Sequence, residues 1–296
     1  MKPFCMALAA TALALAPPAL AQDVEISVDR PGLAGYTVIK PAGHAARPWP
    51  VVVWANGGCR LDPAPYISTL KAVAAQGFLV IAIGAAAEGE TRANAPRGER
   101  PQPRTLTERI ARITPPASKT GQLTAAIDWA QRSASDPRSD LHGKLATHRV
   151  AMMGHSCGGM QALEASLDPR VTTTLVWSSG YWRYGGDLPG IRLSRPMLQQ
   201  LHAPTLYLTG GASDIAHLSA EGDFFEINHI PIFKATSPAP HALSFAHPQG
   251  GIFASAGIAW LRWQLLDDPA AAKQFGGRDC GLCGDPRWTI EKKNIP

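Results

Sequence analysis

Residues 154–158 read Gly-His-Ser-Cys-Gly, a serine between two glycines at the G-x-S-x-G spacing. A serine hydroxyl is a poor nucleophile, and chemistry at this spacing requires a sharp turn that exposes the oxygen. The turn in turn requires a strand before it and a helix after it. Arg149-Val150-Ala151-Met152-Met153 predicts the strand and Gly159-Met160-Gln161-Ala162-Leu163 the helix. Glycines suit the flanks because side chains would clash in so tight a bend. The alternative, an ordinary strand-to-helix turn, gives no reason for this combination.

An activated serine needs a base and a carboxylate that orients the base, and a fold with this strand-serine-helix turn supplies them in the chain order serine, acid, histidine. Thr205-Leu206-Tyr207-Leu208-Thr209 predicts a strand running into Gly210-Gly211-Ala212-Ser213-Asp214, which places Asp214 at the carboxyl end of a strand, where an acid belongs. Asp223 is the reserve acid. Two histidines follow in loops before the last predicted helix, His241 and His247. The tetrahedral oxyanion of such chemistry needs two backbone N–H donors. Cys157, directly after the serine, supplies one. Gly58 or Cys59, after the predicted strand Val51–Trp54, supplies the other, with Cys59 taken as the donor.

Short apolar runs alternating with helical patterns must position these residues. Gly35–Ile39, Val51–Trp54, Phe78–Ile83, His148–Met153, Thr173–Trp177, Thr205–Thr209 and His229–Phe233 read as strands. Tyr66–Ala75, Gly121–Arg132, Gly159–Ser166 and Gly251–Leu265 read as helices. Continuous apolar strands interleaved with helices imply a mostly parallel sheet covered on both faces, with ligands at the carboxyl ends of its strands. The stretch from about Ala85 to Ser118, rich in Arg, Pro and Glu, reads as an irregular surface excursion.

The amino terminus predicts export. Lys2, the Ala- and Leu-rich run Met6–Ala16 and the small-residue site Ala19-Leu20-Ala21 form a cleavable leader over 1–21, leaving 22–296 as a single α/β domain, secreted or periplasmic. The leader's apolar run is short for a bilayer of ~30 Å, and no later stretch reads as a membrane span. The 28 basic and 23 acidic residues give a formal net charge of +5. The basic residues are scattered, so no nucleic-acid-binding arm is expected.

Four cysteines follow the leader: Cys59, Cys157, Cys280 and Cys283. An even count in an exported chain favours disulfides, and four allow three pairings. Cys280-Gly281-Leu282-Cys283 can close on itself, which leaves Cys59 with Cys157, one from each oxyanion segment. The alternatives are two free thiols at 59 and 157, and a redox or zinc role for the Cys-x-x-Cys pair.

The motif around Ser156, the segment Gly211-Ala212-Ser213-Asp214-Ile215-Ala216 and the His241 loop resemble the α/β-hydrolase superfamily. Within it they are similar to the branch of cutinases, polyester hydrolases and chlorophyllase-like or dienelactone-hydrolase-like esterases, over about Val51 to Leu266. The resemblance implies an α/β-hydrolase fold and a serine esterase with Ser156, Asp214 and His241 as its triad, His241 being favoured over His247 by register. It implies a small-molecule or polymeric ester as substrate and no metal or organic cofactor. Gly58-Cys59 stands where polyester hydrolases carry Gly-Tyr, so Trp177, Tyr181 and Trp182 are the candidate aromatic walls, with Tyr181 and Trp182 as substrate contacts. The competing readings are a peptidase or acyltransferase on the same triad, and a binding protein with the same fold and no activity.

Overall fold

A computed structural model of the chain describes residues 23–43, 47–86, 117–183, 190–241, 245 and 247–296. The expected leader and most of the 85–118 excursion lie outside these residues. In chain order the strands and helices are β1 (Val24–Arg30), β2 (Leu33–Pro41), β3 (Trp49–Ala55), α1 (Ile67–Ala74), β4 (Leu79–Ile83), α2 (Gly121–Ser135), β5 (Leu145–His155), α3 (Cys157–Ala165) and β6 (Val171–Trp177). Then follow β7 (Thr205–Gly210), α4 (His217–Glu226), β8 (Ile232–Ser237), α5 (Gly251–Leu266), α6 (Pro269–Ala272) and β9 (Thr289–Lys293).

The strands form one sheet of order β1-β2-β4-β3-β5-β6-β7-β8-β9. The six from β4 to β8 in that order run parallel. β1 and β2 at one side and β9 at the other run antiparallel to their neighbours. This is an α/β fold with a mostly parallel central sheet.

Burial explains why the central strands are largely apolar. Every residue of β3, β4 and β7 is buried. Successive side chains point to opposite faces, and the two faces form separate cores. Val52, Trp54, Val80, Ala82, Ala151 and Met153 pack with Leu70 of α1 and with Phe253 and Trp260 of α5. Val51, Val53, Leu79, Ile81, Val150 and Met152 pack with Leu123 and Ile127 of α2 and Ala162 of α3. Helices therefore cover both faces, and each strand needs apolar residues at even and odd positions alike.

The strand predicted over His229–Phe233 begins later, at Ile232. Pro231 has no N–H to give to a ladder, and pairing with β7 starts at Thr205 opposite Ile232. His229 is an exposed loop residue whose ring nitrogen meets the Leu201 carbonyl at 2.8 Å. β1, β9, α4 and α6 carry no prediction from the sequence.

Candidate active site

Ser156 stands between β5 and α3 with φ 54° and ψ −124°, a backbone state that non-glycine residues rarely adopt. The glycines around it are required by close backbone approach. A Cβ at Gly154 would lie 2.2 Å from the Gly158 carbonyl oxygen, and one at Gly158 would lie 2.2 Å from that of Ala55. Gly158 thus lets the first turn of α3 press against the end of β3. The Ser179 hydroxyl donates to the Ser156 carbonyl at 2.6 Å, tying the bend to the end of β6.

Three side chains from distant segments converge on this bend. Ser156 Oγ is 2.8 Å from Nε2 of His241. His241 Nδ1 is 2.6 Å from Oδ1 of Asp214. Asp214 follows β7, and two amides hold its carboxylate: Gly210 N–H donates to Oδ2 and Ala216 N–H to Oδ1, each at 2.9 Å. Burial alone would raise its pKa. The hydrogen bond and charge of His241, helped by the Ala216 amide and the Ser178 hydroxyl, outweigh that and bring it down to about 2. The aspartate is therefore an anion that fixes the ring with Nδ1 as donor and Nε2 facing the serine. In this arrangement a serine can lose its proton as its oxygen attacks an electrophilic carbon, and the carboxylate can stabilise the imidazolium that results.

The segment after β3 lies beside the serine. Cys59 and Cys157 form a disulfide, with Cα atoms 5.2 Å apart. Cys280 and Cys283 form a second one. Several contacts fix the 56–60 turn besides the bridge. The Asn56 side chain is buried, donating to the Arg60 carbonyl at 2.9 Å and to that of Ile83 at 2.7 Å. The Ser118 amide donates to the Cys59 carbonyl at 2.9 Å, and Gln161 of α3 donates to the Ser118 carbonyl at 3.0 Å. Cys157 opens α3, where backbone N–H groups have no partner within the helix.

The remaining residues singled out from sequence fall in different places. His247 is exposed, at the start of the turn Pro248–Gly250. Asp223 is buried on α4, where it accepts from the Tyr181 amide at 2.7 Å and the Tyr207 hydroxyl at 3.0 Å. Trp177 is a core residue, 1% exposed, edge-on to Trp54 and stacked on Phe245. Trp182 packs against the cluster of Cys59, Cys157 and Met160, joined by Ile191 and Leu193. Tyr181 packs instead against a second cluster, which includes Val176, Leu198 and Phe224.

Two side chains with a place at the site carried no sequence signal. His155, the variable residue of the motif, is 4% exposed and lies with its ring 4.9 Å from that of His241. Tyr66, at the entrance to α1, has its hydroxyl 3.1 Å from His155 Nδ1. Only the strand-turn pattern around position 155 was readable, since the residue type there is free in the motif.

No known protein-family model matches this chain, and no curated protein matches it.

Proposed function

We propose that this chain is an exported serine hydrolase of the α/β-hydrolase type that cleaves carboxylic esters. The observation that carries the reading is the continuous contact from Ser156 through His241 to the anionic Asp214, at 2.8 and 2.6 Å. Ser156 Oγ attacks the ester carbonyl while His241 Nε2 takes its proton. The oxyanion is received by the amides of Cys157 and of the Gly58-Cys59 turn, Cys59 being the donor read from sequence. His241 returns the proton to the leaving alcohol, and water then hydrolyses the acyl-serine by the same steps in reverse. Trp182, Ile191 and Leu193 beside the disulfide offer an apolar wall for the acyl or alcohol group. Two disulfides fit an oxidising compartment.

Hydrolysis of p-nitrophenyl acetate, butyrate, octanoate and palmitate, with fluorophosphonate labelling, tests the proposal. Activity and labelling should both disappear in Ser156→Ala. Labelling that persists in that variant would remove Ser156 as nucleophile, and a wild-type protein inert toward every ester would overturn the esterase reading.

A further inference from the structure

His155 completes a hydrogen-bonded path between the two halves of the site. Its Nε2 lies 2.9 Å from the backbone carbonyl oxygen of His241. A carbonyl only accepts, so Nε2 carries the proton and donates. The other nitrogen, Nδ1, is then a lone pair, and it accepts the Tyr66 hydroxyl. The Tyr66 oxygen in turn accepts the Gly57 amide at 3.0 Å. Gly57 begins the turn that carries Gly58 and Cys59. The path therefore runs from the oxyanion turn through Tyr66 and His155 to the main chain of the base.

The surroundings hold His155 in this one tautomer. Burial first, and the neighbouring His241, lower its pKa to about 3, so the ring is neutral at ordinary pH. Phe245 packs against His155 and Tyr66 with centroids 4.8 and 4.7 Å away. There is no room for a side chain at position 57: a Cβ would lie 2.5 Å from the Tyr66 hydroxyl and 2.6 Å from His155 Nδ1. The ring is too deeply buried to touch a substrate.

We infer that His155 is a positioning residue that holds the base His241 in register with the oxyanion turn, acting through Tyr66 and Gly57. This rests on the proposed hydrolase reading. It makes no chemical step of its own. It fixes the His241 backbone relative to the donors, so that the proton acceptor and the oxyanion site stay aligned with Ser156. Misplacement of reacting groups by about 1 Å can cost on the order of 100-fold in rate.

The test uses steady-state hydrolysis of p-nitrophenyl butyrate, fluorophosphonate labelling and thermal melting on wild type, His155→Phe, His155→Gln, Tyr66→Phe and the His155→Phe/Tyr66→Phe double variant. His155→Phe should lower kcat by about 10- to 100-fold with KM little changed. His155→Gln keeps one donor and one acceptor and should recover most of that loss. Tyr66→Phe should lower kcat by less, and the double variant should fall no further than His155→Phe, because both substitutions cut one path. Losses that add, follow the melting temperature, or are not rescued by Gln would overturn the inference, as would wild-type kcat in Tyr66→Phe and His155→Phe. Those outcomes leave the hydrolase reading standing provided wild type is labelled and active. A wild-type protein neither labelled nor active overturns both.

Discussion

Cys59 and Cys157 are covalently joined across 98 residues of sequence, and each belongs to one of the two segments that flank Ser156. The bridge fastens the turn after β3 to the first residue of α3. The chain between them contains α1, β4, α2 and all of β5, so the cross-link constrains a large part of the unfolded chain.

The two disulfides should therefore differ in effect. A closed loop of this size is worth about 2–5 kcal/mol, whereas Cys280–Cys283 closes only a tight turn. Cys59→Ser/Cys157→Ser should lower the midpoint of denaturant unfolding substantially and reduce ester hydrolysis as well. Cys280→Ser/Cys283→Ser should change both much less. Equal losses in the two variants would show that loop length does not govern the effect.

Stability should depend on pH through two buried carboxyl groups with opposite sign. Burial raises Asp223 from its ordinary 3.8 to about 7, even though the Tyr181 amide, the Tyr207 hydroxyl and Arg183 pull it down. Arg183 is 3.9 Å away and offsets little. Between pH 4 and 7 the folded chain retains a proton that the unfolded chain has released, so this group's contribution falls as pH rises. Asp214, lowered to about 2, contributes stability above its ordinary 3.8 that is lost as pH falls through about 2. Asp223→Asn should match wild type near pH 4 and exceed it progressively toward pH 7, by up to about 1.4 kcal/mol for each pKa unit of the shift. Urea unfolding at several pH values reads the difference directly, and parallel curves would contradict it.

The bend at Ser156 should be intolerant of a single methyl group. Gly158→Ala drives a Cβ into the Ala55 carbonyl, backbone against backbone, where no side chain can yield. The expected cost is about 1–3 kcal/mol or more, with a fall in kcat because α3 must move away from β3. Ser179→Ala removes only the hydroxyl that holds the Ser156 carbonyl. It should lower kcat while leaving the melting temperature close to that of wild type.

Lys234 on β8 is fully buried in its side chain and pairs with Glu221 of α4 and Glu291 of β9, the latter at 2.5 Å. Neutralising both partners strands the ammonium. Glu221→Gln/Glu291→Gln should cost about 1–3 kcal/mol, less than a wholly buried pair because both carboxylates reach solvent. Lys234→Met should cost less than that double variant in the same denaturation experiment.

The central elements were legible because their physics is local. β3 and β4 are short apolar runs, β6 and β7 mix threonine with large apolar residues, and turn residues follow each of them. The bend at Ser156 declares itself by glycines that no other residue can replace. Ser156 and Asp214 were legible from the motif and a strand end, whereas the residues alone left His241 and His247 both open and only the family resemblance favoured His241. The two edge strands were hidden because ladder hydrogen bonds rather than a buried face hold them: β9 reads Thr-Ile-Glu-Lys-Lys, with no fully buried position. α4 was hidden for a related reason. It contains Gly222, whose vacant face accommodates the Arg183 guanidinium, and it exposes Phe225. The part played by His155 depends on a tyrosine 89 positions away, and no pattern around residue 155 encodes that contact.

The two antiparallel rims of the sheet bear on how this protein behaves at high concentration. Among the described residues, β1 and β9 each have a neighbouring strand on one side only, an arrangement that in other proteins seeds association strand to strand. Here both rims carry charged residues, Glu25, Asp29 and Arg30 on one and Glu291, Lys292 and Lys293 on the other. A second molecule approaching either rim meets charges that it would have to strip of water before any ladder could form. The least predictable strands of the sequence are thus the ones whose charged residues work against strand-to-strand growth of the sheet.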